Sequence, residues 1–97
     1  MIHHLVSWQL RDDIERTNAI ATIRTEMTSL LGVVPPIRTI EVVENVAYPA
    51  HNHDVAVVAT FDTVEDLDAF TNHPVHQAAG VEIRKLVVAR AAIDWAE

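Results

Sequence analysis

The run Val55-Ala56-Val57-Val58-Ala59-Thr60-Phe61 is apolar at almost every position, and it restricts the folds open to this chain more than any other segment. A strand with one wet face alternates apolar and polar residues. A strand that is apolar on both parities must be covered on both faces. The run therefore reads as a central strand, and the small Ala56 and Ala59 leave room for something large to pack over them.

The segments on either side indicate what can cover it. Ile2 to Leu10 alternates, with Ile2, His4, Val6, Trp8 and Leu10 on the larger, more apolar face. Arg11-Asp12-Asp13 ends that strand, and acidic residues there suit a helix N-terminus. From about Ile14 the period changes. Ile20, Ile23, Met27, Leu30, Leu31 and Val34 form one stripe of an amphipathic helix, which Gly32 and Pro35-Pro36 end. Met27 reads as a core filler. Ile37 to Val46 is β-branched with Glu41 and Glu44 on opposite parities, as an edge strand tolerates. Ala47 to His53 reads as a loop.

After the central strand comes FDTVEDLDAFTNHPVHQ. Thr63 and Asp66 form a capping-box pattern, and Val64, Leu67 and Phe70 share one helical face. Pro74 disfavours a helical His73 and suits the first position of a new helix, so two segments are expected. The second carries His76 in its first turn and runs to about Arg84. Leu86 to Trp95 is the last strand, apolar on both parities apart from Arg90 and Asp94.

The order β-α-β-β-α-β over residues 1–97 is the ferredoxin-like arrangement, an α+β domain with a four-stranded antiparallel sheet and its helices on one face. The opposite face carries Leu5, Ala56 and Val58 and has no cover left in the chain. A contiguous apolar face of that size would drive aggregation, and packing against a second copy with two-fold symmetry buries it. A dimeric α/β barrel is thus expected.

Charge and composition narrow the partners. Seven Lys and Arg against fourteen Asp and Glu give a net charge of −7, the wrong sign for nucleic acid. There is no cysteine, hence no disulfide framework and no thiolate nucleophile. No apolar stretch approaches a membrane span, and no basic leader precedes an apolar segment, so a cytoplasmic protein is expected. His51 and His53 lie two apart beside Asp54, a metal-ligand spacing that no further ligand pattern supports, so no metal is expected.

HHLVSWQL, HDVAVVATF, VEDLDAFTNHPVHQ and VARAAIDW, in this order, resemble the stress-responsive A/B barrel domain family over essentially the whole chain. The resemblance implies a homodimeric barrel with a small-molecule pocket in each subunit between sheet and helices. A few members are polyketide cyclases that close a linear poly-β-ketone without a cofactor. In those, a histidine of the H-P-x-H element is the base, which corresponds to His76 here. A second pocket histidine from the first strand corresponds to His4. The helix position that carries an assisting tyrosine is Phe70, which cannot donate to a developing oxyanion. The strand position that is polar in some members is Val55.

Elementary chemistry allows a similar assignment. Proton abstraction beside a ketone needs a base with a pKa near the working pH, and histidine has one almost unperturbed. His4 and His76 can meet across the sheet–helix gap, one as base and one as donor to the carbonyl oxygen, in a cleft lined by Trp8, Val57, Ala59, Phe70 and His73. The plainer alternative is that His76 hydrogen-bonds a backbone carbonyl and His73 caps a helix. His76 at a helix N-terminus is expected to have a lowered pKa. Three classes of function remain: a cofactor-free enzyme acting on a polyketide-like or aromatic substrate, a protein that binds a small apolar ligand without turnover, and a stress-associated dimer whose pocket its own side chains fill.

Overall fold

The computed structural model describes residues 1–97, with the elements β1 (Ile2–Leu10), α1 (Arg16–Thr28), β2 (Thr39–Glu44), β3 (Val55–Phe61), α2 (Val64–Thr71), α3 (Pro74–Arg84) and β4 (Val87–Ala96). All strand pairs are antiparallel, in the order β2-β3-β1-β4. The order is ferredoxin-like, with the helical segment after β3 divided in two. The doubly apolar run is an inner strand as its composition requires, and the glutamate-bearing β2 is an edge.

One face of the sheet builds the core. Val6, Trp8 and Leu10 of β1 pack with Val55, Val57, Ala59 and Phe61 of β3 beneath Ile20, Ile23 and Met27 of α1, Phe70 of α2 and Ala79 and Ile83 of α3. The opposite face presents His3, Leu5 and Ser7 beside Ala56 and Val58, with Ile93 and Trp95 from β4 in register. No helix lies over it, and Ile93 is 59% exposed. Burying this surface would release on the order of 25 cal/mol for each Å² of apolar area.

Local chemistry sets the helix ends, and some differ from expectation. The α1 N-cap is Glu15, whose carboxylate accepts from the N–H groups of Thr17 and Asn18, whereas Asp13 is taken up by Arg11 at the surface. The helix stops at Thr28, short of the full apolar stripe. Leu30 and Val34 are still buried in the turns that follow, but Leu31 is exposed. Gly32 supplies the positive φ, +84°, that these turns need. Thr63 caps α2 by accepting from the Asp66 N–H at 3.1 Å, but Val64 points to solvent, so the buried face reduces to Leu67 and Phe70. Pro74 opens α3, where its missing N–H costs nothing.

Asp54 ties the β2–β3 connection to the start of β1's exit. Its buried carboxylate accepts from the Leu10 N–H at 2.8 Å and from the Arg16 guanidinium. His53 bonds Ser7 at 2.8 Å through Nδ1. The His51-His53-Asp54 spacing therefore does not translate into three converging ligands. No helix is long and apolar enough to cross a membrane.

Candidate functional site

Between the sheet and the α2–α3 break lies a cavity of about 310 Å³. Its floor is Val6, Trp8 and Val57 of the sheet, and Met27, Phe70 and Ile83 close it from the helices. His4, Thr71, His76, Arg84 and Arg90 are the polar members of the wall, and Gly80 completes it. His4, Trp8, Val57, Phe70 and His76 are thus brought together. Two other candidates are not. Ala59 is fully buried opposite His4 and lies behind the wall. His73 is the N-cap of α3, its Nδ1 accepting from the Val75 N–H at 3.1 Å. Its place at the break directs the ring at the helix end and away from the cavity.

Each imidazole in the cavity is held through Nδ1. Thr71 is the last residue of α2, and its carbonyl oxygen accepts from His76 Nδ1–H at 3.1 Å. A carbonyl can only accept, so the proton of neutral His76 is on Nδ1 and the lone pair on Nε2. The backbone bond and a role as base are therefore compatible, because they use different nitrogens. His4 Nδ1 bonds the Asp94 carboxylate across the β1–β4 ladder, where the two residues are direct partners. His4 Nε2 makes no protein hydrogen bond, yet no buried side-chain polar atom lacks a partner, so that nitrogen reaches open space.

Aromatic packing orients the pair. Phe70 stacks at a tilt on His76, with centroids 4.2 Å apart, and meets His4 edge-on at 5.9 Å. Phe61 supports Phe70 from below at 5.0 Å. Half-burial against these rings pushes the His76 pKa below its usual value, because desolvation penalises the imidazolium. The Thr71 carbonyl opposes this shift, while the charges of His4, Arg90 and His73 add to it. The direction is the one expected from the helix N-terminus, but burial is the main cause.

The site also includes Arg84 and Arg90 on the wall and Asp94 behind His4, which neither the H-P-x-H element nor the β1 histidine points to. The signal for two of them was present: Arg90 and Asp94 interrupt an apolar strand at even spacing, which places them on one face. Arg90 stands opposite Trp8 and Asp94 opposite His4. On the other side of the sheet there is a wider, shallower concavity of about 620 Å³, lined by Leu5, Ser7, Val43, His53 and Ala56 among others. It occupies the uncovered apolar face that a second copy would bury, so the cavity between sheet and helices is the better candidate site.

The fold and cavity define a small α+β barrel-type domain with its pocket between sheet and helices. Residues 2–97 match the stress responsive A/B barrel domain family, and the chain belongs to it. Among solved structures, a dimeric ferredoxin-like protein of unknown function from Bacteroides fragilis superposes with a TM-score of 0.85 at 28% identity, over 97% of this chain and 93% of that one. A dimeric ferredoxin-like protein from Thermobifida fusca gives 0.85 at 25% identity, over 99% and 90%. A hydroxynitrile lyase from Passiflora edulis gives 0.82 at 14% identity, over 97% and 90%, a likeness of fold alone. No curated protein matches the sequence.

Proposed function

We propose that this chain forms a homodimeric small-molecule-binding barrel that abstracts a proton from a ketone-rich or aromatic substrate without a cofactor. His76 is the general base. The observation that carries this reading is the state of His76: Nδ1 occupied by a carbonyl, Nε2 free on a cavity wall, and a pKa lowered by burial. His76 Nε2 takes the proton from a carbon beside a carbonyl, and the C–H electron pair moves to the oxygen as an enolate. In a poly-β-ketone the enolate carbon then attacks a second carbonyl, a C–C bond forms, and the imidazolium returns its proton to the new alkoxide. That bond closes the ring, and loss of the new hydroxyl together with a proton from the adjacent carbon, as water, leaves a C=C bond that leads to the aromatic product. His4, oriented by Asp94 and lining the same cavity, is the group that would assist that proton transfer.

A second reading has one observation in its favour. Phe70 supplies no donor to the enolate oxygen, which suits a protein that binds such a ligand without turning it over. The cavity volume of about 310 Å³ argues against a pocket filled by its own side chains.

Deuterium exchange into an aryl 1,3-diketone in heavy water separates the two. Exchange above the buffer rate is expected, rising with pH as His76 loses its proton. Because that pKa is lowered, the rise falls below about 6.5, the ordinary histidine value, and the rate is flat by neutral pH. Binding without exchange would favour the carrier. The homodimer is supported by the uncovered sheet face and by the dimeric relatives. Sedimentation at micromolar concentration should show dimer only, as an obligate interface of roughly 2,000 Å² or more requires. A folded monomer would exclude the barrel.

A further inference from the structure

We infer that the ligand of this cavity carries an anionic group, a carboxylate on an otherwise apolar or aromatic body, held by Arg84 and Arg90. The inference rests on the cavity being a ligand site and specifies which ligands it takes.

Positive charge is paired over most of the molecule but not at the cavity. The chain has seven Lys and Arg against fourteen Asp and Glu, so carboxylates are abundant. Arg11 pairs with Asp13, Arg38 with Asp62 and Lys85 with Glu82, and Arg16 pairs with both Asp54 and Glu44. Arg24, Arg84 and Arg90 have no carboxylate within 4.0 Å, and two of these three line the cavity between sheet and helices. They reach it from different elements, Arg84 from the last turn of α3 and Arg90 from β4.

The one carboxylate on Arg90's face of β4 is not available. Asp94 lies on Arg90's face of β4, four residues on, and is engaged by His4 at the other end of the cavity. The Arg84 head group lies close over Gly80, where a Cβ would stand 3.3 Å from Nη1. The site is therefore asymmetric: an apolar floor of Trp8, Val57 and Ile83, the two imidazoles at the His4–His76 end, and two unpaired guanidinium groups towards Arg90. A guanidinium presents paired donors that match a carboxylate, and an apolar floor beside it selects an amphiphilic acid over a free inorganic anion. An anchored acid would also place its ketone end against His76.

Isothermal titration with 2-naphthoate and its uncharged isostere 2-naphthamide tests this on the intact protein. Naphthoate should bind roughly tenfold or more tightly than naphthamide, as expected for a charge-assisted hydrogen bond. Arg90→Gln and Arg84→Gln should each remove most of that preference, with a much smaller loss for naphthamide than for naphthoate. Both side chains are exposed, so the variants should fold. Naphthamide binding as well as naphthoate would overturn the anion assignment and leave the pocket standing. So would a preference that survives both substitutions. Binding of neither compound would overturn the ligand-site reading itself, and the anion assignment with it.

Discussion

Phe70→Ala should lower stability by about 3–5 kcal/mol and should also release the histidines, the largest structural effect expected of a single substitution here. Phe70 is 1% exposed and touches Phe61, His4 and His76. Removing the ring deletes a large buried apolar surface and leaves a void next to an existing cavity, into which neighbours can collapse only in part. The second consequence is electrostatic. Burial is the main cause of the lowered His76 pKa, so a solvated His76 should titrate closer to 6.5 in the variant. Chemical denaturation measures the first effect and histidine NMR the second. The milder Phe70→Leu keeps the second measurement possible if the alanine variant does not fold. A His76 pKa that stays low in the leucine variant would mean that Phe70 is not what desolvates it.

The largest functional effect is expected at His76. If the protein turns over a ketone substrate, His76→Ala should slow that turnover by roughly a hundredfold or more, the usual size of a general-base contribution. The loss should appear in kcat with little change in KM, because the base acts on the transition state more than on binding. His76→Ala is also expected to be mild for the fold, since the ring is half-exposed and its one hydrogen bond goes to the C-terminal carbonyl of α2. Asp94→Asn provides the comparison. An amide oxygen still accepts from His4 Nδ1–H but carries no charge, so its effect should be smaller than that of losing the base. Unchanged turnover in His76→Ala, with binding intact, would move the base to His4.

Much of the architecture was legible in the residues because it depends on local period. The alternation in Ile2–Leu10, the doubly apolar Val55–Phe61 and the Thr63 cap each depend on neighbours a few positions away. The break at His73-Pro74 is local too, since a proline ring clashes with a helical predecessor. The end of α1 was less legible. Leu30 and Val34 continue the apolar stripe after the helix has stopped, because turns can also bury side chains at that spacing.

The site was legible only as far as strand parity reaches. His4, Trp8 and Val57 share a face by alternation, and His76 follows from its place in the first turn of α3. The role of His73 divided differently: its spacing suited either a wall or a cap, and the Val75 N–H decided for the cap. Ala59 shares the correct parity but lies too deep, which depends on how closely the helices approach.

By itself, then, the sequence determined the order of elements, the inner position of β3, the face shared by His4, Trp8 and Val57, and one apolar sheet face in need of a partner. All follow from side-chain periods of two and about 3.6, which the chain carries locally. Tertiary structure alone decided that Asp94 stands opposite His4 and Arg90 opposite Trp8, since a register between strands some ninety residues apart is set by packing. It also decided which nitrogen of His76 remains free: the Thr71 carbonyl lies beside Nδ1 only because α2 ends where α3 turns back across it.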